Sequence, residues 1–85
     1  MRELNYVITD PQGMHARPAG LFVKEAAACK CTVKISKDGK EVDAKRILGV
    51  MSLGIKQGQE ITVKFDGEDE EQACEKIKTF LEANL

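Results

Sequence analysis

Two spacings of apolar residues alternate along the 85-residue chain: every second position, which marks strands, and every third or fourth, which marks helices. Leu4, Tyr6 and Ile8 point one way with Asn5 and Val7 between them, predicting a half-buried first strand. Asp10-Pro11-Gln12-Gly13 then supplies turn chemistry, proline fixing φ and glycine admitting a left-handed bend. From Ala16 the spacing lengthens. Ala19, Phe22, Val23, Ala26 and Ala27 form one apolar stripe of a helix ending around Ala28 to Lys30. Thr32 to Ser36 alternates again, Asp38-Gly39 makes a hairpin turn, and Lys40-Glu41-Val42 returns as a short strand.

Ile47, Leu48, Val50, Met51 and Leu53 are too dense for a surface strand, and Gly54 stops them, so one or two helical turns are predicted. After the turn at Gln57-Gly58, Ile61, Val63 and Phe65 alternate in a fourth strand. The last segment reads as a helix with Asp69 as N-cap and Gln72 at its third position, a capping box. Glu70 and Glu71 suit its positive end, and Ala73, Ile77, Phe80 and Leu81 form its buried face. The order β-α-β-β-α-β-α predicts an α+β open-faced sandwich. Its four-stranded antiparallel sheet is covered on one face by three helices, in a single domain over residues 1–85.

Composition narrows the function classes. Apolar content of 42% fits a globular chain, and 32% charged residues coat its surface. No apolar run approaches membrane-spanning length and no signal-peptide pattern opens the chain, so neither insertion nor export is expected. Residues 1–65 hold eleven Lys/Arg against seven Asp/Glu, whereas residues 66–85 hold two against seven, leaving a net charge of −1. A mildly basic body steers acidic partners. Nucleic acid is not an expected partner, because the bases are scattered and aromatics make up only 5%. Cys29, Cys31 and Cys74 lack the spacing of a thiolate metal site and read as reduced structural thiols; no metal is expected.

The segment Gly13-Met14-His15-Ala16-Arg17-Pro18-Ala19-Gly20 holds the only histidine. If Ala16 is the first helical residue, His15 is the N-cap, a position where Ser, Thr, Asp or Asn serves better. Pro18 fits the first turn, whose amides have no intrahelical acceptor. A neutral imidazole is a competent nucleophile, and free first-turn amides make an anion site that Arg17 can reinforce. Position alone also suits an ordinary surface histidine.

"GMHARPAGLFVKEA" resembles the active-site segment of HPr, the histidine-containing phosphocarrier family of the bacterial phosphoenolpyruvate-dependent sugar phosphotransferase system. "KDGKEVDAK" followed by "ILGVMSLGIKQGQEITV" is similar to the family's second diagnostic region, and "GEDEEQA" matches its acidic helix opening. The resemblance spans essentially the whole chain.

It implies a cytoplasmic, monomeric carrier without a cofactor, not an enzyme with its own small-molecule substrate. His15 accepts a phosphoryl group from phosphorylated enzyme I, at Nδ1 as in the family, and passes it to sugar-specific IIA components. Arg17 and the backbone amides of Ala16 and Arg17 contact the phosphoryl oxygens. Partners dock on Leu21, Ile47, Leu48 and Met51, ringed by Lys24, Lys45 and Arg46. Periodicity leaves Leu21, Ile47 and Leu48 open between surface and core, and draws Met51 toward the core. Low-GC Gram-positive members carry a regulatory serine where this chain has Arg46, so phosphorylation there is lost and a capping hydroxyl with it. Alternatives in view are a phosphorylation-switched regulatory binding module, or a carrier for nitrogen-related or dihydroxyacetone phosphotransfer.

Overall fold

A computed structural model describes residues 1–85. The elements run β1 (Arg2–Val7), α1 (Ala16–Ala27), β2 (Thr32–Lys37), β3 (Lys40–Asp43), α2 (Ile47–Ser52), β4 (Glu60–Asp66) and α3 (Glu70–Asn84). This is the predicted order. The sheet is antiparallel throughout and ordered β1-β4-β2-β3, so the strand latest in sequence lies in its interior.

Alternation decides which face is covered. Ile61, Val63 and Phe65 of β4 align with Val33 and Ile35 of β2, and all five are fully buried. Their neighbours Thr62, Lys64, Lys34 and Ser36 face the other way and stay half-exposed. Onto the apolar face pack Ala19, Phe22 and Ala26 of α1, Val50 of α2, and Ala73, Ile77 and Leu81 of α3. Phe22 and Phe80 meet at the α1–α3 seam with ring centroids 6.2 Å apart.

Three local readings are corrected. Ala27 is exposed, because α1 ends there and the core lies along the Ala19–Phe22–Ala26 line. Met51 is also exposed: α2 turns Val50 inward instead, and so short a helix buries only a narrow stripe. The capping box at Asp69 and Gln72 does not form. The Asp69 carboxylate reaches across the chain and accepts from the backbone N–H groups of Lys30 (2.9 Å) and Cys31 (2.8 Å).

Candidate functional site

The segment from β1 to α1 is fixed at nearly every residue. Ile8 is buried, and the N–H groups of Thr9 and Asp10 both donate to the Leu85 backbone oxygen, at 2.6 and 3.0 Å. Asp10 Oδ1 accepts the Gln12 N–H at 2.8 Å, and the Asp10 carbonyl accepts the Gly13 N–H at 2.9 Å. This is the side-chain-closed turn expected of Asp before Pro-Gln-Gly. Gly13 has φ +67°, and a Cβ there would press on the Ile55 carbonyl and lie 2.7 Å from Lys56 Cα. Only glycine meets both demands. Met14 donates its N–H to Ile55 O at 3.1 Å and sinks its side chain into the core.

His15 therefore leaves this loop in one place, as the N-cap of α1, in extended conformation. Its side chain makes no capping hydrogen bond. The first intrahelical bond runs from the Ala19 N–H to the His15 carbonyl at 3.0 Å, so the amides of Ala16 and Arg17 precede the helical ladder. Pro18 is buried and has no amide to satisfy. Arg17 is exposed and takes part in none of the chain's four ion pairs. His15, Arg17, Pro18 and Leu21 line a depression of about 260 Å³ together with Asp10 and Asn84.

Beside it lies an apolar surface. Leu21, Ile47 and Met51 are each about two-fifths exposed, and Leu48 is 83% exposed, on α1 and α2, which pack together. Lys24 is exposed on α1. Lys45, expected among the free cations around this surface, is instead half-buried, donating from Nζ to the Cys29 carbonyl at 2.9 Å near the end of α1. Arg46 is the N-cap of α2, with a side chain 82% exposed and 3.8 Å from the Asp43 carboxylate. No side chain caps that helix, as expected from an arginine in place of a hydroxyl residue.

Outside this region, Cys29, Cys31 and Cys74 are all buried and unpaired. Burial, and then the Asp69 carboxylate beside it, push the Cys31 thiol up to about 11. It is inert at neutral pH.

Sequence reasoning placed His15 and Arg17 but missed Asp10 and Asn84 as companions in the depression. Asp10 carries a turn signal that masks any other role. Asn84 has no signal at all, since only the return path of α3 brings it there.

The comparisons with known proteins agree with the geometry. The family model described as "PTS HPr component phosphorylation site" matches residues 3–83. The chain is 46% identical over 83 residues to the phosphocarrier protein HPr of Mycoplasma pneumoniae, covering 96% of this chain and 94% of that one. Its structure is similar to that of HPr from Thermoanaerobacter tengcongensis, with a TM-score of 0.94, 40% identity, and 98% and 93% of the two chains covered. It is similar also to Bacillus subtilis Crh, a catabolite repression protein solved as a domain-swapped dimer (TM-score 0.77, 40% identity, 100% and 98% covered). By sequence and by fold, the chain belongs to the HPr family of phosphocarrier proteins of the phosphotransferase system.

Proposed function

We propose that this chain relays phosphoryl groups between proteins through His15, from phosphorylated enzyme I to IIA components of sugar uptake, in the cytoplasm. One observation carries the reading: the only imidazole stands at a helix start with no capping duty, ahead of two amides outside the helical ladder. In the forward step the phosphorus–nitrogen bond of the donor breaks as one forms to the His15 ring. The pair from the broken bond returns to the donor imidazole. The amides of Ala16 and Arg17 and the Arg17 guanidinium stabilise the transferred oxygens. Positioning and charge supply the catalysis, and the partner completes the in-line arrangement.

Docking falls to Leu21, Ile47, Leu48 and Met51, with Lys24 and Arg46 steering acidic partners. A single copy carries both the depression and this patch, which supports action as a monomer. Incubation with phosphoenolpyruvate, magnesium and enzyme I is expected to add one acid-labile phosphoryl group. Loss of labelling in His15→Ala supports the assignment; no labelling of the unmodified chain, or equal labelling of the variant, overturns it.

The likeness to Crh favours a second reading, a regulatory module that docks partners according to its phosphorylation. Arg46 offers no hydroxyl at the regulatory position, so the serine-borne form of such a switch is absent and this reading places the switch on His15. Pull-downs with and without the phosphoryl group separate the two: a relay holds its partners only briefly in either form.

A further inference from the structure

The depression at His15 holds one cation and one anion. Arg17 is exposed and free of ion pairs, and Asp10 stands on the same rim. Asp10 is no mobile surface carboxylate. Its N–H is bonded to Leu85, its carbonyl to the Gly13 N–H, and its Oδ1 to the Gln12 N–H, so the charge is held where it is. None of these bonds needs the negative charge, since asparagine closes the same turn.

A phosphoryl group on His15 brings two or so further negative charges into this depression. Arg17 attracts them and Asp10 repels them. We infer that Asp10 is an electrostatic destabiliser of phospho-His15, keeping the phosphoryl group from settling too firmly against Arg17 and the helix amides. This rests on His15 as the phosphoryl acceptor. When the group leaves, the nitrogen–phosphorus bond breaks with its electron pair returning to the ring. An oxygen–phosphorus bond forms to water, which gives a proton to solvent, or a nitrogen–phosphorus bond forms to the next protein's imidazole. Either departure relieves the repulsion, so the carboxylate raises the tendency to transfer. A relay benefits from such balance, because a group bound only by attraction would be accepted and then retained.

The test compares wild type with Asp10→Asn, which keeps an acceptor oxygen for the Gln12 amide, and with Asp10→Ser as a second turn-compatible variant. Phosphoramidate, a small chemical donor, labels histidine without enzyme I. The label on Asp10→Asn is expected to hydrolyse about fivefold more slowly than on wild type at low salt, with the difference shrinking as salt screens it. Against a fixed ratio of phosphorylated to free enzyme I, the variant is expected to hold about fivefold more phosphoryl group at equilibrium. Equal lability at matched thermal midpoints, or faster loss from the variants, overturns the inference. A salt-independent difference that tracks the midpoints makes Asp10 merely structural and overturns it too. If wild type takes label from phosphoramidate but none from enzyme I, the carrier assignment fails while the Asp10 comparison still stands.

Discussion

Gly20 sits inside α1 with open space where a Cβ would be, so nothing in the packing requires glycine there. Its backbone freedom only weakens the helix that presents His15. Gly20→Ala is expected to stabilise the chain by about 0.5–1 kcal/mol, a rise in thermal midpoint of about 2–6 °C. Calorimetry checks this. His15 and Arg17 were legible because their chemistry is written into residue type and into adjacency at a helix start. Lys45 was not: its ammonium is drawn to a backbone carbonyl sixteen residues earlier, a contact that no local pattern records. Met51 was misread for a related reason, since a helix of six residues does not say by periodicity alone which side the sheet will take.

Helices and strands were largely legible because each has a clean period and a turn at its end. How elements are tied together was not. The start of α3 looked like a capping box, yet Asp69 acts as a strap between that helix and the α1–β2 junction. The Lys30 amide, and then the Cys31 thiol and amide, hold the Asp69 carboxyl below its usual value. A carboxyl with a lower pKa in the folded state stabilises fully above about pH 4, and that stabilisation drains away as pH falls through the lowered value. Glu70, held low by the N-terminal ammonium 2.9 Å away, adds to the same acid limb. Asp69→Asn is therefore expected to lower the thermal midpoint at pH 7 and to flatten, without abolishing, its decline below pH 4. A midpoint-against-pH series checks both. An unchanged slope would show that the strap does not depend on charge.

On the scale of the molecule, the histidine depression and the apolar patch adjoin on one surface and share Leu21; in the proposed relay the first holds the group and the second the partner. Leu48, at 83% exposure, contributes almost nothing to the core. Leu48→Glu is expected to leave folding stability within about 0.5 kcal/mol of the parent. It should nonetheless slow transfer from enzyme I about tenfold at limiting partner concentration. Rapid-quench kinetics beside a melting curve tests this pairing, and parallel loss of stability would place Leu48 in the fold instead. The fold class was legible as a whole because the order of elements left few ways to cover one sheet face. Strand order was less so, since β4 must insert between β1 and β2, pairing with residues as far back as Arg2.

That inserted strand bears on how the protein is born. The sheet's bridging strand is the last of the four to be synthesised. At ribosomal speeds of about 5–20 residues per second, roughly 3–10 seconds separate His15 from Asp66. Until then β1 has no strand to join, and until Ile55 emerges the amide of Met14 lacks its acceptor. A nascent chain carries its histidine as an ordinary peptide residue until β4 has emerged. The loop ahead of α1 reaches its folded shape only then, so a copy stalled before β4 has, under the proposed relay, no shaped site to offer a phosphoryl donor.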